Sequence, residues 1–101
     1  MSKKVIEGGV DLSDLYLEEL PDFLSDVEVK SYFYCRFNKL TSLSGAPHRV
    51  GSNFHCNSNR LTSLEGAPKY VGRDFYCINN PVKFTEEQVR AVCEVGGEIY
   101  V

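Results

Sequence analysis

The chain has 101 residues, 43% of them hydrophobic and 25% charged, with a net charge of −3. A chain of this length folds as one domain and buries roughly 65% of the surface its unfolded form exposes. Its apolar runs are only a few residues long, which excludes a membrane-spanning helix. Met1-Ser2-Lys3-Lys4 leads through Val5-Ile6 into Glu7-Gly8-Gly9 without an apolar secretory core, so the cytosol is the expected compartment.

From the N-terminus, the first apolar pattern is Val10-x-Leu12-x-x-Leu15-x-Leu17-x-x-Leu20. The same columns return in Phe33-Tyr-Cys-Arg-Phe-Asn-Lys-Leu-Thr-Ser-Leu-Ser-Gly-Ala-Pro47. They return again, 21 residues on, in Phe54-His-Cys-Asn-Ser-Asn-Arg-Leu-Thr-Ser-Leu-Glu-Gly-Ala-Pro68, identical at ten of fifteen positions. A further copy begins at Phe75-Tyr-Cys-Ile-Asn-Asn80 and then diverges. Columns that recur in phase define an internal repeat. Leu15 stands where the later copies carry Asn38, Asn59 and Asn80.

The next segment is of another kind. Thr85-Glu86-Glu87-Gln88 is a capping box, and Phe84 and Val89 are placed for a hydrophobic staple. Val89, Val92 and Cys93 continue at helical spacing toward Gly96-Gly97, which predicts one helix of about ten residues. Beyond it, Val95-x-x-x-Ile99-x-Val101 repeats the spacing of Val71-x-x-x-Phe75-x-Cys77. Strands are therefore expected near Val10, Phe33, Phe54, Phe75 and Ile99. The chain reads as one domain, residues 1–101, made of an N-terminal unit (1–28), central repeats (29–81) and a C-terminal helix and strand (82–101).

Repeats this short cannot hide their own apolar face, so neighbouring copies must stack and share a core. Phe-x-Cys-x-x-Asn-x-Leu-x-x-Leu also fits the leucine-rich-repeat formula, and the period lies in that range. The expectation is an α/β solenoid: a right-handed, leucine-rich-repeat-like coil with one parallel sheet of about five short strands and one helix near the C-terminus. Alternation along a strand points Phe33, Cys35, Phe54, Cys56, Phe75 and Cys77 inward, with Leu40, Leu43, Leu61 and Leu64 closing the core. The Asn column satisfies backbone groups where the chain leaves the sheet.

The same alternation selects the outward columns. They are Tyr32, Asn53, Asp74 and Glu98; then Asp11, Tyr34, His55, Tyr76 and Tyr100; then Arg36, Asn57 and Ile78. Aromatic residues supply much of the energy at protein interfaces, and repeat faces are used as binding surfaces. The candidate partner-binding set is Tyr32, Tyr34, Arg36, Asn53, His55, Asn57, Asp74, Tyr76 and Tyr100. The plainer alternative is that tyrosine simply suits strands.

Other chemistry finds little footing. Cys35, Cys56 and Cys77 recur every 21 residues, which is neither a metal-ligand spacing nor a secreted disulfide framework. His55 points away from Cys56, so no metal or cofactor is expected and the thiols act as small hydrophobes. Cys93 is assigned to helix packing. Ser52, His55 and Asp74 could be drawn as a triad, but nothing supplies an oxyanion hole, and the chain is expected to be non-enzymatic. Charge is uneven: residues 1–28 carry net −6, residues 29–73 net +6 and residues 74–101 net −3. Lys30, Arg36, Lys39, Arg49, Arg60, Lys69 and Arg73 could meet an acidic protein or, alternatively, nucleic acid.

With these columns in hand, the chain resembles the small leucine-rich-repeat proteins of tailed bacteriophages. The carrying residues are Phe-x-Cys-x-x-Asn-x-Leu-Thr-Ser-Leu-x-Gly-Ala-Pro-x-x-Val at 33–50 and 54–71, with Val10-Asp-Leu-Ser13, Leu17-x-x-Leu20-Pro21, Phe84-Thr-Glu-Glu-Gln-Val89 and Gly97-Glu-Ile-Tyr-Val101. The resemblance implies a non-enzymatic module in the cytoplasm of an infected bacterium. It would bind a host protein, such as a defence protein, through the sheet face and inhibit or redirect it. His48, Arg49 and His55 depart from the repeat and would belong to this protein's own surface. The last strand, Ile99–Val101, leaves a sheet edge that a second copy could pair with to form a homodimer.

Overall fold

Successive copies of the repeat pair with one another residue for residue. The structure, a computed structural model, describes residues 4–101. Its elements are β1 (Lys4–Ile6), β2 (Val10–Asp11), β3 (Val27–Val29), β4 (Phe33–Tyr34), β5 (Arg49–Val50), β6 (Phe54–His55), β7 (Tyr70–Val71), β8 (Phe75–Tyr76), α1 (Glu86–Val92), β9 (Glu94–Val95) and β10 (Ile99–Tyr100). The chain alternates between two sheets. The odd strands form one parallel sheet, β1-β3-β5-β7-β9, and the even strands another, β10-β8-β6-β4-β2.

The even sheet contains the five strands expected from the repeat, with Val10, Phe33, Phe54, Phe75 and Ile99 in one register. The expected single sheet is corrected by the odd one. There Ile6, Val29, Val50, Val71 and Val95 share a register, beside a second column of Val5, Glu28, Arg49, Tyr70 and Glu94. In this sheet most strands have two residues, one apolar and inward, one polar and outward. Such a strand is too short to display alternation in the sequence.

The core lies between the sheets and the loops that join them. Phe33, Phe54 and Phe75 are buried in a file, with ring centroids 5.8 and 5.1 Å apart. Cys35, Cys56 and Cys77 form a second buried file, and Leu40, Leu43, Leu61 and Leu64 close the far side. The two sheets join at Gly51, Gly72 and Gly96. A Cβ at Gly72 would run into the carbonyl of Gly51, and one at Gly51 into that of Lys30, so these later copies need glycine for their backbone to pass the copy before.

The asparagine column ties each copy to its neighbours. Asn59 Nδ2 donates to the carbonyls of Cys35 (3.0 Å) and Cys56 (3.1 Å), and its Oδ1 accepts from Leu40 N–H (3.1 Å). Asn38 bridges Leu12 O and Cys35 O and accepts from Leu15 and Leu17 N–H. Asn80 repeats the pattern with Cys56 O, Cys77 O and Leu61 N–H. The residue before each Asn has left-handed backbone: φ is 59° at Phe37, 59° at Ser58 and 58° at Asn79, with Asp14 (59°) before Leu15 in the first copy.

Helix α1 begins as expected. The Thr85 hydroxyl accepts from Gln88 N–H (3.1 Å), the Gln88 side chain accepts from Thr85 N–H (2.9 Å), and Phe84 and Val89 are both buried. Its end differs. The helix stops at Val92, Cys93 is extended at φ −144° and ψ 132°, and β9 starts at once. Parallel pairing of β9 with β7 takes residues that the apolar spacing assigned to a last helical turn. Cys93 is thus a buried extended residue, and Val92 faces outward. No helix among the described residues is long and apolar enough to cross a membrane.

Candidate functional site

The outward column of the even sheet is a continuous file of rings, stacked except between His55 and Tyr76, whose planes are tilted by 57°. Parallel pairing places Asp11, Tyr34, His55, Tyr76 and Tyr100 in one register. Ring centroids are 4.3 Å apart from Tyr34 to His55, 4.2 Å from His55 to Tyr76 and 4.4 Å from Tyr76 to Tyr100. Strands spaced about 4.8 Å apart bring in-register rings to stacking distance without further adjustment. Tyr32 extends the stack by lying on Tyr34 at 4.4 Å. It also covers Gly9, where a Cβ would collide with its ring. Five rings thus form one stripe, half-buried along most of its length and 41% exposed at Tyr100.

The flanking columns fix the stripe's edges. Asn53 Oδ1 accepts from Asp74 N–H (3.0 Å), and Asp74 Oδ1 accepts from Glu98 N–H (2.9 Å). These side chains are therefore engaged in joining copies. On the other side the Arg36 guanidinium carbon lies 5.0 Å from the Tyr34 ring centroid, with Nη1 3.4 Å from His55 Nδ1. Asn57 is half-buried and Ile78 is exposed beyond it. All nine residues expected on the face are brought to one surface: Tyr34, His55, Tyr76 and Tyr100 as its spine, Tyr32 at one end, Asn53 and Asp74 along one side, Arg36 and Asn57 along the other.

His55 has an unusual setting. Its Nε2 is enclosed without a hydrogen-bond partner among the described residues. Desolvation, reinforced by the Arg36 charge and partly opposed by Asp74, holds its pKa below the ordinary histidine value. The imidazole therefore sits in the stack as a neutral ring. Among the described residues it hydrogen-bonds neither Ser52 nor Asp74, so the triad drawn from the sequence is not assembled.

The thiols lie on the opposite side of the strands. Burial pushes Cys35 and Cys56 well above the ordinary thiol pKa, and Cys93 up to about 12. The Cys56 thiol donates to Tyr76 O (3.3 Å), and the neighbouring Cys56 holds the Cys77 pKa below the ordinary thiol value. Among the described residues, no group of three or more His, Cys, Asp or Glu side chains is placed to hold a metal ion.

The basic middle segment does not gather into one patch. Arg49 lies on the odd sheet, 4.0 Å over Tyr70 and 3.6 Å from Glu28, and Lys30 shares that carboxylate. Lys69 and His48 line an open cavity of about 490 Å³ beside the Gly-Ala-Pro turns. Arg36 borders the aromatic stripe, and Lys39 and Arg60 sit on the loops beyond it. Sequence reasoning missed Tyr16 and Phe37, which stand exposed, Tyr16 with the Lys39 ammonium 5.5 Å from its ring centroid. Their signal was available: Phe37 is a bulky residue where the next copy carries Ser58, and Tyr16 one where the later copies carry Lys39 and Arg60.

Comparison of the chain with family models, with curated proteins and with solved structures finds no match in any of the three. The resemblance to phage leucine-rich-repeat proteins accordingly rests on the repeat residues alone.

Proposed function

We propose that the chain is a right-handed leucine-rich-repeat-like solenoid whose even sheet is a non-enzymatic protein-binding face. The observation that carries this reading is the ring stack from Tyr32 to Tyr100. Rings held against one another on short paired strands lose little freedom on binding, and their hydroxyl-bearing edges offer both apolar area and hydrogen bonds. Aromatic surfaces of this kind are enriched where proteins anchor one another. The phage-like repeat motif favours a host bacterial protein as partner, whose activity the bound module would inhibit or redirect.

The dispersion of the basic residues favours this reading over nucleic acid. A phosphate backbone needs a contiguous cationic track, whereas Arg49 and Lys30 are engaged with Glu28 on the other sheet. Affinity capture from bacterial lysate tests the proposal. The wild-type chain should retain one specific protein, and Tyr34→Ala and Tyr76→Ala should lose it while keeping a cooperative thermal transition. Undiminished retention by both variants refutes the face. Self-pairing through Ile99–Tyr100 is tested by mass in solution. It has physical opposition, because Glu94 and Glu98 charge that edge against a second copy.

A further inference from the structure

Every junction of the even sheet is made by the same pair of backbone bonds. The N–H groups of Val10 and Leu12 donate to the Tyr32 and Tyr34 carbonyls, and those of Phe33 and Cys35 to Asn53 and His55. Phe54 and Cys56 donate to Asp74 and Tyr76, and Phe75 and Cys77 to Glu98 and Tyr100, all at 2.8 or 2.9 Å. Ile99 and Val101 hold the same positions in the last copy. Successive backbone groups of a strand point to opposite sides, so these two N–H groups face the outer edge of β10. No strand among the described residues accepts them there.

Two side-chain series stop at the same edge. Asn53 Oδ1 accepts from Asp74 N–H, and Asp74 Oδ1 from Glu98 N–H. The Glu98 carboxylate, next in that column, is exposed and in no ion pair among the described residues. The ring file ends at Tyr100, which has Tyr76 4.4 Å away on one face and no ring among the described residues on the other. Helix α1 packs against β9 and β10 with Phe84 and Val89 buried, so the core is covered and the open feature is the edge itself.

An edge that lacks three recurring partners at once is shaped for one more strand. The columns specify that strand. Its carbonyls accept from Ile99 and Val101, its apolar residues continue their columns, and a ring between them lies on Tyr100. The residue beside Glu98 is a cation, since opposite charges pair across strands. Tyr76, with Asp74 and Glu98, holds the Tyr100 pKa above the ordinary tyrosine value, as expected of a site that disfavours further negative charge. Arg73 and Lys83 line cavities at this end, yet neither is among the charges acting on that hydroxyl. A second copy stacked on this edge by its β2 would bring Asp11 onto Tyr100 in place of a ring.

We infer that the outer edge of β10 takes up an extended segment of a partner protein as a sixth parallel strand. Its order is cation, apolar, aromatic, apolar, set against Glu98, Ile99, Tyr100 and Val101. The inference rests on the reading of the even sheet as a protein-binding face and names the partner's chemistry.

The peptide Ser-Lys-Val-Tyr-Val-Ser, blocked at both ends, tests it on the purified, isotope-labelled full chain. Titration should shift the Ile99 and Val101 amide resonances and slow their hydrogen exchange at least about tenfold. N-methylation of the peptide tyrosine, whose N–H would bond Ile99 O, should weaken binding at least about tenfold. N-methylation of the valine after it, whose N–H would face solvent, should not. Tyr100→Ala should weaken binding to a similar extent as the first methyl group, and Glu98→Gln should flatten its decline with added salt. Unchanged exchange at Ile99 and Val101 under saturating peptide, or equal weakening by the two methyl groups, overturns the inference. Protection of both amides without peptide, with a mass that doubles as the chain is concentrated, overturns it in favour of a second copy. The methylated pair leaves the chain unaltered, so a fold defect in Tyr100→Ala does not decide the outcome. With a pure peptide and a direct reading of the edge amides, this result and the lysate capture on the ring stack can fail separately.

Discussion

The ring of Tyr32 lies on the ring of Tyr34 with centroids 4.4 Å apart and planes 24° from parallel, although the two residues are only two apart in the chain. His55 already occupies the other face of Tyr34 at 4.3 Å. Tyr32 therefore fills the place that an aromatic residue at Asp11 would have taken and seals one end of the stack over Gly9. The other end, Tyr100, has no such cover among the described residues. The stripe is polar in direction, and its partner has one open aromatic end to approach.

The asparagine column predicts a stability loss that differs from a packing loss. Asn59→Ala leaves the Leu40 N–H without its partner in a buried site and takes one of two asparagine donors from each of the Cys35 and Cys56 carbonyls, which Asn38 and Asn80 still reach. One unsatisfied buried group costs about 1–3 kcal/mol, so the variant should lose about 2 kcal/mol in urea unfolding. Asn59→Asp keeps the acceptor but not the donor and should fare no better. A loss below about 1 kcal/mol would mean that the column is ornamental.

Gly9 and Gly72 separate two kinds of close contact. A Cβ at Gly9 meets a tyrosine ring that can swing away, while one at Gly72 meets the Gly51 backbone, which cannot. Gly72→Ala should destabilise by about 3 kcal/mol, or roughly 15 °C in Tm. Gly9→Ala should cost less than about 1 kcal/mol and instead change the near-ultraviolet circular dichroism of the tyrosines. Equal Tm losses in the two variants would contradict this distinction.

His55 predicts the acid limb of the stability curve. Its folded pKa is below its unfolded value because burial and Arg36 oppose the charged form. The unfolded chain therefore takes up the proton first, and the contribution is complete above the unfolded pKa of about 6.5 and lost as pH falls through the folded value. Thermal melts at falling pH should show Tm dropping first in this window, and His55→Tyr should flatten that drop while preserving the stack.

The thiols should report their burial in order. In the native protein at pH 8, iodoacetamide should label Cys77 first, since its pKa is lowered by Cys56 and it lines a cavity of about 290 Å³. Cys35, Cys56 and Cys93 should react only on unfolding, because burial holds them protonated. Peptide mass mapping of the labelled chain reads the sequence of events directly.

The even sheet and its outward face were legible because Phe and Cys recur with the Asn in fixed columns, and strand alternation then assigns every side chain between them. The odd sheet was not. Its inward column is a single aliphatic residue per copy, Ile6 and then valine, and its outward column, Glu28, Arg49, Tyr70 and Glu94, has no common chemistry until the strands pair. The helix end was misjudged for a related reason: Cys93 and Val95 suit either a last helical turn or a strand. The register with β7 chooses the strand.

By itself, the amino-acid order determined which residues share a column, since that follows from the period alone: phenyl and thiol inward, tyrosine and histidine outward, asparagine at each exit. Only the tertiary structure decided how far apart those columns lie and what closes their ends. Tyr32 turns back onto Tyr34, and the glycines at 51, 72 and 96 bring the copies together. Such contacts depend on the stacking of one copy on the next, a non-local packing event that no single copy encodes.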